Sequence, residues 1–253
     1  MERNKNKVIT IPSNVDGEQD IKISYQNNGT SQYSTFIDDS LDLGIKEQSG
    51  LSHWVLEIDG MSGKCYRHFI NNLASKIKNC RYLEVGAWKG STSASCLYNN
   101  HVKATIIENF SQFGGPKNDF LANMLRLEKE CGIKQPALLE EDFRKVTDNH
   151  PSSLLKGKYN LYFFDGPHSE QDQFDAIDLM LPYLDNEFIY IVDDYNWPKL
   201  ALATNKAIEE NNLTVVKKVE ITCKACWTPN DGGKFTKFHN GYGIFILKKL
   251  SNK

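Results

Sequence analysis

Two acidic clusters and one histidine form the most chemically suggestive pattern in the chain. Asp165-Gly166-Pro167-His168 follows the apolar run Leu161-Tyr162-Phe163-Phe164, and Asp193-Asp194 follows Phe188-Ile189-Tyr190-Ile191-Val192. From Asp165 to Asp193 is 28 residues, one strand–helix–strand unit, and neighbouring strands lie about 4.8 Å apart. Three carboxylates gathered at such strand ends repel, so that one takes up a proton or a hard divalent cation such as Mg²⁺ neutralises them. His168 stands at the end of the same strand as Asp165. One geometric obstacle stands in the way. Successive strand residues face opposite sides of a sheet, so Asp193 and Asp194 share a site only if the chain leaves the sheet there. Trp197-Pro198, shortly afterwards, makes such an exit reasonable. Taken singly, each residue also has an ordinary role as a turn cap, a solvated strand end or a turn histidine.

A second constellation lies earlier. Leu83-Glu84-Val85-Gly86-Ala87-Trp88-Lys89-Gly90-Ser91-Thr92 joins a short strand to a helix. In open α/β sheets the ligand crevice lies beyond the carboxyl ends of the strands, where the strand order reverses. Glycine there lets the backbone approach a ligand, and Ser91 and Thr92 add hydroxyl donors. The spacing is G-x-x-x-G, which is neither the dinucleotide fingerprint G-x-G-x-x-G nor a P-loop. Glu108 stands 22 residues beyond Gly86, close to the spacing at which an acid holds a ribose diol. The third strand leads into Glu140-Glu141-Asp142-Phe143, where an acid can meet an exocyclic amine and an aromatic ring can cover a base.

These residues need strand ends to hold them, and the hydrophobic pattern supplies strands. Helical spacing over 64–78 precedes a strand at 82–85. Alternating helices and strands continue through a helix at 91–99, a strand at 104–108, a helix near 117–130, strand 137–139 and a short helix near 144–155. They continue with strand 161–164, helix 169–183, strand 188–192, helix 198–211 and strand 214–220. Strand 243–247 follows a loop instead of a helix, and a direct return makes an antiparallel neighbour. The expected fold class is therefore α/β, a Rossmann-like, mostly parallel sheet with helices on both faces and a final antiparallel strand.

Residues 1–50 differ from the rest in being polar and rich in Asn, Ser, Gln and Asp. Val8–Ile11 and Ile21–Tyr25 alternate like strands. The expectation for residues 1–30 is nonetheless a partly disordered extension, with a substrate lid or dimerisation arm as the alternative. Residues 51–253 form the expected single domain.

Composition narrows the function classes. The 253 residues hold 30 Lys and Arg against 32 Asp and Glu, a formal net charge of −2. That excludes a generally basic nucleic-acid binder. No apolar run approaches the ~20 residues that span a bilayer, and the first residues lack the apolar core of a secretory signal, so no membrane partner is expected and a cytoplasmic location is the default. Six cysteines then read as reduced thiols. Cys223-Lys224-Ala225-Cys226 has no second pair to complete a zinc site. The sequence leaves a homo-oligomer open.

With these motifs in view, the chain resembles the class I S-adenosylmethionine-dependent methyltransferases. Residues 83–92 resemble the first motif of catechol O-methyltransferases and their bacterial relatives, whose seven-stranded plan has the same reversed last strand. The resemblance implies that Glu84, Gly86 and Thr92 surround the methionine part of the cofactor, Glu108 the ribose, and Asp142 with Phe143 the adenine. Met61-Ser62-Gly63 is similar to the segment that closes over the cofactor. The implied cofactor-binding set is thus Met61, Glu84, Gly86, Ala87, Trp88, Gly90, Ser91, Thr92, Glu108, Asp142, Phe143 and Asp165. Macrolide-sugar O-methyltransferases carry D-G-x-H with its His as base, where the catechol enzymes have a Lys. The implied metal ligands are Asp165, Asp193 and Asp194, with Mg²⁺ or another divalent cation, and the implied general base is His168. The activity so implied is methyl transfer from S-adenosylmethionine to a hydroxyl of a small molecule or sugar. A cephalosporin-hydroxylase-type enzyme and a non-catalytic cofactor-binding protein are the alternatives on the same fold.

Overall fold

A computed structural model describes residues 6–12, 20–147, 155–223 and 236–250. Among the described residues, every parallel strand but one is led in by a helix that covers the sheet. The elements run β1 (Asn6–Ile11), β2 (Ile21–Asn27), α1 (Gln32–Ile45), α2 (His53–Leu56), α3 (Lys64–Lys76), β3 (Arg81–Val85), α4 (Ser91–Leu97), β4 (Lys103–Ile107), α5 (Lys117–Cys131) and β5 (Ala137–Leu139). They continue with β6 (Tyr159–Phe164), α6 (Glu170–Asp178), β7 (Leu184–Val192), α7 (Pro198–Glu210), β8 (Leu213–Thr222) and β9 (Tyr242–Lys249). A 3₁₀ turn at Phe143–Lys145 opens the stretch expected to be helical near 144–155, whose remaining residues 148–154 lie outside the described part.

The nine strands of the described residues make one sheet, in the order β1-β2-β8-β9-β7-β6-β3-β4-β5. This corrects the expectation of seven strands and a mostly parallel sheet. The neighbours β3–β4, β3–β6, β4–β5 and β6–β7 pair parallel. The pairs β1–β2, β2–β8, β7–β9 and β8–β9 are antiparallel. Without β1 and β2 the order is the expected seven strands with β9 alone reversed. The two additional strands come from the segment expected to be partly disordered.

That segment folds because its short apolar alternation has a partner. Ile21 and Ile23 are fully buried, and Tyr25 nearly so, as β2 pairs with β8 from Lys22↔Thr222 to Asn27↔Lys217. Helix α1 begins at Ser31, whose hydroxyl accepts from Tyr33 N as an N-cap, and buries Ile37 and Leu41. Residue 50 is therefore no boundary between sheet and extension.

Alternation through the central strands gives the sheet two cores. Leu161 and Phe163 of β6 join Phe69, Leu73 and Leu97 beneath α3 and α4. Tyr162 and Phe164 face the other way, toward Ala176, Ile177 and Ala207 of α6 and α7. Burial on both faces is what a continuous apolar strand demands. Strand order reverses at β3, which lies between β4 and β6, so the crevice above its carboxyl end is the place for a ligand. Among the described residues, no helix is long and apolar enough to cross a membrane.

Candidate active site

A cavity of about 320 Å³ opens at this switch point. Its wall holds Met61, Gly86, Ala87, Trp88, Ser91, Thr92, Glu108, Asp142, Phe143, Asp165, His168, Asp193 and Asp194. The sequence places these residues on six different connections, and the fold brings them to one rim. Two expected cofactor residues stand elsewhere. Neither Glu84 nor Gly90 is part of the lining.

Glu84 is turned away by the strand's own period. Leu83 and Val85 face the α6–α7 core, so the residue between them faces α4, where its Oε2 accepts from Ser93 Oγ at 2.7 Å. The carboxyl is fully buried. Burial pushes its pKa up to about 8, although the Ser93 bond works against the rise. Gly90 packs instead against Phe120 and Met124.

The glycine turn itself is tightly determined. Gly86 has φ +83°, and a Cβ there would sit 1.8 Å from the carbonyl oxygen of Asp165. No other residue type fits both demands. The turn also owes its shape to Glu108. Oε2 of that carboxylate accepts from Ala87 N at 2.8 Å and Trp88 N at 2.9 Å, while Oε1 accepts from Phe110 N at 2.6 Å. Charge-assisted bonds of this kind are the stronger ones. Glu108 thus braces the turn against the loop after β4, and its remaining lone pairs stay available. Beyond it, Asp142 Oδ1 accepts from Arg144 N at 2.9 Å, and Phe143 packs edge-on to Phe164 with centroids 5.5 Å apart.

The other end of the cavity has the opposite character. Val192 ends β7, and Asp194 then takes φ +54°. Asp tolerates this left-handed conformation better than most residues. The excursion resolves the obstacle of alternating faces, since both Asp193 and Asp194 line the cavity. Burial first, and then the charges of Asp193 and Asp194, push the Asp165 carboxyl well above the usual range. Asp193 is raised by burial and by Asp194, and its buried Oδ1 accepts no hydrogen bond. Asp194 Oδ2 lies 3.2 Å from His168 Nε2. The His168 ring tilts against Trp197 with centroids 5.5 Å apart.

The expected three-carboxylate metal set is not preassembled. Among the described residues, no three His, Cys, Asp or Glu side chains are grouped to hold a metal; Asp194 lies beside His168 instead. Asp165 and Asp193 still fit a divalent cation by donor type. The unpartnered Oδ1 of Asp193 and their mutual repulsion are both relieved by one, and Mg²⁺ takes one or two carboxylates with waters.

Several lining residues escaped the sequence reading. Gly60, the run Asn109–Phe113, Trp197 and Asn240 all belong to the wall. They lie in loops, where no hydrophobic period marks them. The only available signals were adjacency to Glu108 for the first loop and to Asp194 for Trp197. Of the Cys223 and Cys226 pair, Cys223 is buried, and Cys226, with Trp227 and Asp231, lies outside the described residues.

No family model matches the chain, and no curated protein does. Solved structures do match. The fold is similar to that of the O-methyltransferase from Bacillus cereus in complex with SAH, at 10% identity and a TM-score of 0.56 over 86% of this chain and 100% of that one. A protein from Corynebacterium glutamicum aligns at 13% identity and a TM-score of 0.55, over 85% of this chain and 98% of that one. TrmN from Thermus thermophilus aligns at 11% identity and a TM-score of 0.48 over 74% of this chain, which spans about half, 48%, of that protein's length. The likeness to the first two is one of fold: a Rossmann-like α/β sheet shared with a methyltransferase.

Proposed function

We propose that the chain is an S-adenosylmethionine-dependent O-methyltransferase acting on a hydroxyl of a small molecule or sugar. One observation carries the reading: a single cavity has Glu108, Asp142 and Phe143 at one end and Asp165, Asp193, Asp194 and His168 at the other. The first group suits a nucleoside, through diol-accepting carboxylate oxygens and an aromatic ring. The second suits deprotonation of a hydroxyl. The fold shared with a structure that holds SAH supports the assignment of the first group.

When bound, the methyl donor supplies an electrophilic methyl on a sulfonium, and a divalent cation supplies a Lewis acid that lowers the pKa of the acceptor hydroxyl. The chain's own part is orientation and proton transfer. Asp165 and Asp193 would hold the cation. Asp194 Oδ2 lies 3.2 Å from His168 Nε2, so Nε2 would face that carboxylate and Nδ1 would be the nitrogen that accepts the hydroxyl proton. The Asp194 carboxylate stabilises the imidazolium so formed and fixes the ring. Glu108, braced by three backbone N–H groups, holds its oxygens still for a ribose.

The wall carries Glu108, Glu141, Asp142, Asp165, Asp193 and Asp194, and among its described residues there is no Lys or Arg. That balance favours a neutral or amine-bearing hydroxyl compound as acceptor, since apart from the cation itself the described wall offers a phosphorylated one no Lys or Arg counter-charge. The same acidity disfavours nucleic acid as a partner.

Label transfer from methyl-labelled S-adenosylmethionine tests the reading. Neutral diols and glycosides, and their phosphorylated counterparts, serve as acceptors with Mg²⁺ present. Label in the neutral products supports it. Turnover confined to the phosphorylated acceptors overturns the acceptor assignment, and cofactor consumption with oxygenated instead of methylated product overturns the reaction type.

A further inference from the structure

Arg67, in the first turn of α3, has no exposed surface. Among the described residues its hydrogen bonds all go to neutral oxygens. Nε donates to Ser62 O at 2.9 Å and Ser62 Oγ at 3.1 Å. Nη1 donates to the carbonyls of Val55, Leu56 and Ile58 at 3.3, 2.9 and 2.8 Å, and Nη2 to that of Gly60 at 3.2 Å. A planar guanidinium can fork in this way; a lysine ammonium cannot. The cost shows in its pKa, which burial lowers to about 10. So costly a group for a loop of this length calls for a reason.

The reason lies in what the loop does next. Gly60, Met61 and Ser62 belong to the cavity wall, against the start of α4. The contact is close: a Cβ on Gly60 would sit 2.0 Å from Ser91 Oγ, and Ser62 Oγ lies 3.1 Å from the same hydroxyl. Lys89 Nζ secures the outer side of this loop through Asp59, at 3.2 Å.

We propose that Arg67 is a positioning residue that fixes Gly60–Ser62 against the first turn of α4 as the wall closing over the bound ligand. Its position controls ligand affinity beyond any share it has in global stability. The identity of the ligand as methyl donor rests on the function proposed above; the wall does not.

The test compares Arg67→Lys, Arg67→Met and Gly60→Ala with Lys217→Met in the full chain. Gly60→Ala displaces the same wall while keeping the guanidinium itself: the added Cβ would meet Ser91 Oγ at 2.0 Å first and Arg67 Nη2 at 3.1 Å. Lys217, also buried, bonds Asp38 at 2.6 Å on β8, away from the cavity, and controls for lost stability. Binding of S-adenosylhomocysteine, thermal unfolding and hydrogen exchange of residues 58–63 are measured for each. The expected result is affinity weakened at least tenfold in both Arg67 variants and in Gly60→Ala, with faster exchange confined to 58–63. Lys217→Met should lower Tm and leave affinity unchanged. Affinity that merely follows Tm across all four variants, or unchanged exchange at 58–63 in the Arg67 variants, overturns the proposal. Should Arg67→Met fail to fold, Arg67→Lys and Gly60→Ala decide in the same way. Should the unaltered chain not bind S-adenosylhomocysteine, the methyl-donor reading falls, and exchange at 58–63 still decides the role of Arg67.

Discussion

The two ends of the cavity are built on opposite electrostatic terms. At the glycine turn every charge is answered: Glu108 accepts from three backbone N–H groups and Asp142 from Arg144 N. At the ends of β6 and β7 charges are left over. Burial and neighbouring carboxylates push Asp165 and Asp193 both up, and Asp193 Oδ1 is buried without a donor. A satisfied end is shaped in advance for one ligand. A strained end holds free energy that a cation or a proton releases. The comparison teaches that binding at the two ends should respond differently to mutation, to pH and to divalent ions.

The largest effect expected is on turnover. Asp193→Ala should lose more activity than His168→Gln, because orientation contributes up to ~7–11 kcal/mol and a general base ~10²–10⁴-fold. Steady-state kinetics of both purified variants gives the order; the reverse order would place the chemistry on the histidine alone. Asp193→Asn should at the same time raise Tm without added cation, since it removes a buried like charge.

The next effect belongs to the satisfied end. Glu108→Gln keeps one acceptor oxygen and loses the charge, at a cost of about 1.5–3 kcal/mol. Calorimetry should show S-adenosylhomocysteine binding weakened on the order of 10–100-fold, with the Mg²⁺ response unchanged. A change in that response would mean that the two ends are not separate.

A third effect is on stability against pH. The folded pKa of Glu84, about 8, lies above its ordinary value of 4.5. The folded chain therefore holds a proton that the unfolded chain releases. This contribution is fully present below about 4.5 and is lost as pH rises through about 8. Glu84→Gln should flatten the fall in chemical-denaturation stability between pH 6 and 9 by roughly a few kcal/mol. An unchanged slope would show that Glu84 is ionised in the fold. The smallest effect is on the acceptor: raising salt should narrow any preference for amine-bearing over neutral acceptors, because exposed charges are screened.

Much of this was legible in the sequence. Apolar runs before Asp165 and Asp193 mark strands buried on both faces, and the structure sets both residues at one crevice. Strand alternation also foretells that Glu84 faces the opposite side from Leu83 and Val85, which the motif resemblance overrode. Other features had no local signal. The left-handed turn at Asp194 depends on how β7 ends. The pairing of β2 with β8 joins residues about 200 positions apart, and polar composition hid it. The brace from Glu108 runs to backbone N–H groups, which no side-chain pattern announces.

The central claim is that one cavity holds a methyl donor at its satisfied end and a cation at its strained end. Calorimetric titration of S-adenosylhomocysteine into the unaltered chain and Glu108→Ala, each with and without Mg²⁺, tests it most directly. The account predicts one site per chain in the unaltered protein, much weaker binding in Glu108→Ala, and a separate Mg²⁺ heat that Asp193→Asn abolishes. Absence of binding with or without Mg²⁺, or binding indifferent to Glu108, would contradict it.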